Sequence, residues 1–508
     1  MLTTVYSAAT VGLDGVLIKV EVDVASRGFP AFNIVGLPNK SIEESKERVK
    51  TAIHNSDFEM PESRIVVNLA PANIPKEGSL FDLPIAIGIL ASSGNLERDF
   101  IDNTLFVGEL SLEGKIQPVS GILPITILAK QRNIKNIIVP RLNIAEAALV
   151  EGIFVYSFEK LTDLILHLNK IYIKEPHQHI SIQSVRKKSD YEGDFSAIHG
   201  QQQAKRALTI AAAGFHNIHL KGPPGGGKTL MSRAFPSILP DMDEEEAVEV
   251  TKIYSVAGQN ADGIIRANRP FRSPHHTVSR IGLIGGGTKL TPGEISLAHR
   301  GALFLDEFPE FPRSVIEALR QPIEDGVVSI SRATGSVTFP ANFLLIAASN
   351  PCPCGFLGHP KKKCHCNVFQ ISQYKKKVSG PILDRIDIHV TVGPVKEEEL
   401  VSDIVEESSE SLRKKVQKAR EIQMKRFGSS GLRTNSEMSA ADIRKYTTME
   451  LEASKLLNQA ISRLSLSARS YFKIIKLSQT IADLQGSKTI GISEISEALQ
   501  YRLQEEYS

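Results

Sequence analysis

The sequence predicts an α/β protein centred on a parallel sheet, with a mixed α and β region before it and helices after it. Three observations carry that reading. Residues 222–229 read GPPGGGKT, directly after a short apolar strand at 218–220 and directly before the helix-like run LMSRAF. Two more apolar strands, at 302–305 and 343–348, follow at the spacing of a sheet built from alternating strands and helices. After Val395 strand-like runs stop, and charged amphipathic segments continue to the end.

Composition bounds the class. A chain of 508 residues exceeds what one hydrophobic core serves, so several domains are expected. With 42% hydrophobic and 23% charged residues it reads as an ordinary globular protein. Nowhere does an apolar run reach the roughly 18 residues of a membrane span. The start, MLTTVYSAATVGLDG, lacks the basic-then-apolar layout of a secretion signal, so a cytoplasmic protein with no membrane partner is expected. A net charge of +3 neither demands nor excludes nucleic acid, and any basic surface must be local.

In chain order, residues 1–173 alternate β-branched runs (VLIKVEVDV, RIVVNLA, NIIVP) with helix-like stretches such as KSIEESKERVKTAIHN, the mark of a compact α+β or α/β domain. Residues 174–193, KEPHQHISIQSVRKKSDYEG, are polar and unpatterned and read as a linker. The Gly-rich stretch 194–395 is the parallel-sheet domain, and 396–508 is helical. There is no internal repeat.

The chemistry lies in the third of these regions. Gly222, Pro223, Pro224, Gly225, Gly226, Gly227, Lys228 and Thr229 satisfy the full phosphate-loop pattern in its strand, loop, helix context. Such glycines turn backbone N–H groups toward phosphates at a helix N-terminus; Lys228 supplies a mobile charge and Thr229 a hydroxyl for Mg²⁺. The strand at 302–305 ends in Asp306 and Glu307. Beside a phosphate loop, Asp306 would hold the metal and Glu307 would act as base toward an attacking water. The strand at 343–348 ends in Ser349 and Asn350, whose amide could orient that water or simply form a turn. In SGPILDRID, Arg385 stands among acids, where a surface salt bridge is the plain alternative.

All four cysteines fall in one loop, NPCPCGFLGHPKKKCHCN: Cys352, Cys354, Cys364 and Cys366. That clustering argues against a disulfide framework. Two Cys-x-Cys pairs can close a tetrahedral Zn²⁺ site with no open position, His359 or His365 being possible substitutes. Reduced thiols packed in a loop are the alternative. Lys361, Lys362 and Lys363 lie between the pairs, suited to phosphate or merely solvated.

The gap from Lys228 to Asp306 is long, and holds FRSPHHT and GGG. His275 and His276 could suggest metal, but adjacent side chains usually diverge, and a buried hydrogen-bonding role is the expectation. Residues 327–340, VVSISRATGSVTFP, read as a β-hairpin.

Phosphate loop, LFLDE, AASN and SGPILDRID in this order resemble an AAA+ ATPase of the magnesium-chelatase and MCM-like branch. RPFRSPHHTVSRIGLIGGG, PGEISLAHRGALFLDEFPEF, LRQPIEDG and NPCPCG are similar, more closely, to the YifB/ComM family of magnesium-chelatase-like ATPases. The resemblance implies an AAA+ domain that binds ATP and Mg²⁺, with a C-terminal helical lid. Lys228 and Thr229 match Walker A, Asp306 and Glu307 match Walker B, and Asn350 matches sensor 1. Arg385 falls at the arginine-finger position, which implies a ring, normally a hexamer. Arg469 matches sensor 2, although a helix-capping or surface role fits it too. In this branch the insert and the hairpin face the pore and touch DNA, which would put Arg280, Lys289 and Arg332 near phosphate.

Residues PKEGSLFDLPIAIGIL and GELSLEGKIQPVSGILP resemble a Lon-type protease domain. Leu80 stands at the serine position and Leu123 at the lysine position, with Ser79 one place off, so the domain is degenerate and proteolysis is not expected. The family resemblance implies a ring-forming DNA motor promoting branch migration in homologous recombination or natural transformation. A magnesium-chelatase-type subunit acting on a porphyrin, or an ATP-dependent remodelling scaffold, is the alternative.

Overall fold

The computed structural model describes residues 2–25, 29–36, 40–74, 76, 78–185, 191–260, 265–287, 290–332, 335–394, 406–464 and 466–502. They form two compact units that do not follow chain order. The first holds residues 1–187, 244–267 and 333–337; the second holds 188–243, 268–332 and 338–508.

The first unit is built on β1 (Leu2–Val11), β2 (Asp14–Val24), β3 (Ala31–Val35), β4 (Arg64–Ala70), β5 (Thr104–Phe106), β8 (Asn136–Pro140) and β9 (Phe154–Phe158). The two-stranded ribbon β6 (Glu109–Leu110) and β7 (Ile116–Gln117) lies between β5 and β8 in the chain. The seven strands form one mixed sheet in the order β3-β4-β2-β1-β5-β8-β9. β1 and β2 make a tight antiparallel hairpin, Val11 facing Asp14, whereas β5, β8 and β9 pair in parallel. In β4 the period-2 alternation places Ile65, Val67 and Leu69 inside, each burial contributing about 2 kcal/mol. Helix Asp82–Ser92, apolar all round, is buried along its whole length and packs on β1 and β2.

Two observations qualify the reading by sequence order. The start of the polar stretch 174–193 is fixed to the unit: His177 N–H donates to Val155 O (2.8 Å), and Lys174 Nζ to Ser157 O (2.7 Å). A backbone N–H and a lysine ammonium satisfy carbonyls of β9, which an apolar pattern could not have revealed. Helix Glu244–Val256, only ten positions beyond the helix that follows the phosphate loop, also belongs to the first unit. It packs on helix Ile122–Gln131, where Ser255 O accepts from Gly121 N–H (3.0 Å). Beneath it Glu146 is buried, accepting from Asn143 Nδ2 at 2.7 Å.

The second unit contains β10 (Ile218–Lys221), β11 (Phe271–Arg272), β14 (Ala302–Leu305), β17 (Leu344–Ser349) and β18 (Ile388–Thr391), all parallel, in the order β11-β14-β17-β10-β18. Both faces are covered, which is why the strands read as unbroken apolar runs. Ala302, Phe304, Leu344, Ile346 and Ala348 join a core with helix Gln202–Gly214. Their neighbours Leu303, Leu305, Leu345 and Ala347 point to the other face, among Phe308, Val315 and Leu319. The two-stranded sheet β12 (Gly285–Gly286) and β13 (Thr291–Pro292) occupies the long gap, and β15 (Val327–Arg332) and β16 (Gly335–Pro340) pair as the hairpin expected there. Beyond residue 406 the described residues form helices capped by Ser408, Ser439 and Ser467, with no named strand among them.

Candidate nucleotide site

β10 lies between β17 and β18, so the loop leaving its C-terminal end opens at the crevice where parallel sheets bind ligands. Gly222 is required by that sheet: a Cβ there would lie 2.1 Å from Val392 O, the backbone of the strand alongside. Residues 224–230, with Asp306, Glu307, Ser349 and Asn350, line a cavity of about 440 Å³. Phosphate loop, acidic pair and terminal asparagine thus meet in one place, from three strands far apart in the chain.

Within it, Lys228 is 8% exposed and its ammonium rests on Gly222 O (2.6 Å), Pro223 O (2.9 Å) and Asn350 Oδ1 (3.3 Å). Burial lowers its pKa, an effect opposed by Asp306. These acceptors are all neutral, so an incoming phosphate would meet an ammonium whose hydrogen bonds go to dipoles rather than to a carboxylate. Thr229 Oγ1 donates to Asp306 Oδ2 at 2.7 Å, and Asp306 Oδ1 accepts from Glu307 N–H at 2.9 Å. A hydroxyl and a carboxylate at the loop's end are the hard oxygen donors that suit Mg²⁺. Glu307 holds a left-handed backbone (φ 50°), which turns its carboxylate out of the strand line, half-exposed, 3.6 Å from His276 Nδ1.

That contact corrects the expectation for the histidine pair. Rather than diverging and being buried, His275 is exposed and His276 partly so, with ring centroids 4.0 Å apart. A turn closed by Val278 N–H on His275 O (2.9 Å) folds one ring against the other.

Arg385 and Arg469 are brought together, though not with the phosphate loop. Arg385 pairs with Glu324 Oε2 at 2.7 Å and donates to Pro381 O at 2.6 Å; Arg469 takes the other oxygen of Glu324 and reaches Asp384 at 3.4 Å. The two guanidiniums hold the Glu324 carboxyl below its ordinary range, Arg385 contributing most. All three side chains line a separate cavity of about 650 Å³. Half-buried Lys473 holds the chain on either side of Arg385 by donating to Asp384 O and Ile386 O. Neither Glu324 nor Lys473 was singled out by sequence reading. Glu324 lies within LRQPIEDG, but nothing in the spacing links position 324 to 385 and 469.

The four cysteines converge: their sulfurs all lie within 4.8 Å of one another, the one cluster of three or more His, Cys, Asp or Glu ligands so placed among the described residues. His359 is excluded from a substitute role through Nδ1, which accepts from the N–H groups of Lys361 and Lys362, both at 3.0 Å. Backbone N–H groups of Phe356 and His365 lower the Cys354 thiol to about 6. Although Cys366 N–H favours the Cys364 thiolate, burial and the neighbouring sulfurs push Cys364 up to about 12. Four thiolates this close repel unless a cation neutralises them, and a soft, closed four-sulfur set suits Zn²⁺.

Of the cations expected near DNA, Arg280 is exposed at the start of helix Arg280–Ile284, and Lys361, Lys362 and Lys363 are exposed in the cysteine loop. Lys362 lies over the Phe356 ring at 5.0 Å. Lys289 and the Arg332 side chain lie outside the described residues. In the first unit Leu123 is buried, Ser79 donates to Glu109, and buried Lys76 spends its ammonium on the Gly36 and Pro71 carbonyls.

A parallel five-stranded sheet with a phosphate loop on its central crevice and an acidic pair on the next strand but one defines the P-loop nucleotide-binding class. Family models agree and resolve it further. Residues 194–400 match magnesium chelatase, subunit ChlI; 20–143 match subunit ChlI of Mg-chelatase; 406–502 match its C-terminal region. Competence protein ComM of Haemophilus influenzae is 42% identical over 99% of this chain and 97% of its own. The uncharacterized protein YifB of Escherichia coli is 38% identical over 99% and 97%. The magnesium-chelatase 38 kDa subunit of Rhodobacter capsulatus is 28% identical over only 31% of this chain and 50% of its own. The chain belongs to the YifB/ComM family of magnesium-chelatase-like AAA+ proteins, for which ATP and Mg²⁺ are the implied ligands. No helix among the described residues is long and apolar enough to cross a membrane.

Proposed function

We propose that this protein is a ring-forming, ATP-hydrolysing DNA motor that promotes branch migration in homologous recombination or natural transformation. One observation carries the ring: the nucleotide cavity gathers Lys228, Thr229, Asp306, Glu307 and Asn350, while Arg385 and Arg469 line a different one. Phosphoryl transfer needs positive charge on the transferring group beyond what the loop lysine supplies. A neighbouring subunit's arginines supply it if the second cavity faces the first across a ring interface.

In this reading the loop N–H groups and Lys228 bind the phosphates, and Thr229 and Asp306 hold Mg²⁺, which neutralises phosphate charge. Glu307 takes a proton from the attacking water and Asn350 orients that water. Residues 1–173 are a Lon-like domain without its dyad, 174–193 a linker, 194–395 the ATPase domain, and 396–508 its helical lid. Zn²⁺ is held by Cys352, Cys354, Cys364 and Cys366 as a structural ion. DNA is contacted by Arg280, Lys289, Arg332 and Lys361–Lys363, a cytoplasmic role with no membrane partner. The near-full-length likeness to a competence protein favours DNA over a porphyrin, since the Rhodobacter capsulatus chelatase subunit matches only 31% of the chain.

ATPase rates with and without single-stranded and branched DNA, beside Glu307→Gln, test the proposal. Stimulation by DNA that Glu307→Gln abolishes is the expected outcome. A rate that DNA leaves unchanged, together with no binding of either DNA, would refute it.

A further inference from the structure

We infer that the cysteine cluster is a metal-dependent brace of the phosphate loop, so that metal and nucleotide binding reinforce each other. This rests on reading the four cysteines as a metal site, and adds where the force of that site is applied.

The connection is short and physical. Asn350, which accepts from Lys228 Nζ, is followed by Pro351 and Cys352. Cys352–Pro353–Cys354–Gly355 is a tight turn closed by Gly355 N–H on Cys352 O at 2.9 Å. The turn sits on the phosphate loop itself: a Cβ on Gly355 would lie 2.6 Å from Pro224 Cδ, 2.7 Å from its Cγ, and 3.9 Å from Asn350 Cγ. Gly355 also holds φ +83°, so glycine is required by backbone and by neighbour alike. Two of the four ligands therefore stand in the same turn, just before the point where this loop presses on Pro224.

The other two ligands anchor the far side. Cys364 and Cys366 lead straight into Asn367, whose capping box starts helix Val368–Lys376. That helix carries buried Tyr374, which lines one cavity together with Asn350 and Pro351. Cys354 N–H donates to Cys366 Sγ at 3.4 Å, so the first pair already reaches the second. A metal on four thiolates ties turn, sensor position and helix into one piece seated on the loop. Without it, like-charged or mutually hydrogen-bonded thiols must hold the turn down, and the turn is free to lift from Pro224. An ordered phosphate loop pays less on binding phosphate, which is how metal occupancy becomes nucleotide affinity.

Linkage makes this testable from both directions, because a coupling between two binding events is reciprocal. The full-length protein is assayed for zinc per chain, for affinity toward a fluorescent ATP analogue in excess Mg²⁺, and for zinc loss to a chromophoric chelator with and without a non-hydrolysable ATP analogue. The expected results are one zinc per chain, analogue affinity weakened by about fivefold or more on zinc removal and restored by zinc, and zinc retained more tightly by the same factor with nucleotide present. Gly355→Val, which keeps all four sulfurs, is expected to weaken nucleotide binding while zinc stays bound. A chain that takes up no zinc, as isolated or after reconstitution, overturns the metal reading and this inference with it. Bound zinc whose retention ignores nucleotide, with affinity unchanged on its removal, overturns the brace alone. The retention measurement uses metal-loaded protein of unaltered sequence throughout, so it decides the matter even where Gly355→Val fails to fold.

Discussion

Lys228 and Arg385 are both cations of the second unit, yet they are held in opposite ways. Lys228 lies on neutral carbonyls and an amide, its pKa lowered by burial. Arg385 lies on a carboxylate that it shares with Arg469, and that carboxylate is held ionised. A lysine on dipoles can turn to a phosphate without abandoning a counter-charge. Two arginines gathered on one acid are instead preorganised as a pair, at the cost of an ion pair that must loosen when they reach an anion. Glu324 is about one third exposed, so that pair contributes only about 1 kcal/mol or less. The nucleotide half is poised alone; the arginine half is aligned and waits for something to touch.

The strongest way to break this contrast is Arg385→Ala. Nucleotide binding should persist while ATP turnover falls by about 10³-fold or more. Mixing Arg385→Ala with Lys228→Ala should recover part of the activity neither variant has, since each contributes one intact half. No recovery would place Arg385 in the service of its own chain. Next in size is Glu307→Gln, for which turnover should drop by about 10²–10⁴ with analogue affinity retained. Equal loss of affinity would mean that Glu307 holds the ligand rather than the water's proton.

A smaller effect distinguishes alignment from chemistry. Glu324→Gln keeps the shape but removes the charge that gathers the arginines, so turnover at saturating ATP should fall by less than about fivefold, KM for ATP unchanged. A fall as deep as that of Arg385→Ala would make Glu324 part of the machinery instead of its support.

The two halves also differ in how far the sequence disclosed them. The phosphate loop is local: eight consecutive residues between a strand and a helix, so pattern alone places Lys228 and Thr229. Asp306 and Asn350 were legible because each ends an apolar run, and parallel strands bring their C-terminal ends to one edge. The Glu324 cluster joins positions 324, 385 and 469, which no period or motif spacing connects. Only tertiary packing assembles it. Likewise helix Glu244–Val256 carries buried Ala247, Val250 and Ile253, a face whose partner in the first unit composition could not identify. The cysteines were legible as a cluster, but Gly355 against Pro224 was not, since a glycine's contact leaves no trace in hydropathy.

The smallest predicted effect separates the halves by pH. His219, on β10 beneath the phosphate loop, shares a hydrogen bond with Ser349 at 2.8 Å. Burial drives its pKa down to about 3, and that of His389 on β18 to about 4. The unfolded chain takes these protons near pH 6.5 and the folded chain refuses them. Stability from both is therefore complete above pH 6.5 and declines as the pH falls toward 4, by about 1.4 kcal/mol per unit for each histidine. Glu324 behaves differently. Its folded pKa lies below the ordinary 4.5, so its contribution is present above that value and is lost only in stronger acid. Between pH 7 and 5, then, acid should loosen the sheet under the phosphate loop and spare the arginine cluster. Hydrogen exchange, corrected for intrinsic rates, should show β10 and β17 losing protection over that interval while helix Ala468–Gln485 does not. His219→Gln, whose amide can still bond Ser349, should remove roughly one proton's share of the slope. An unchanged slope would mean that His219 takes its proton at the same pH in the folded and unfolded chain, and that burial does not govern this half.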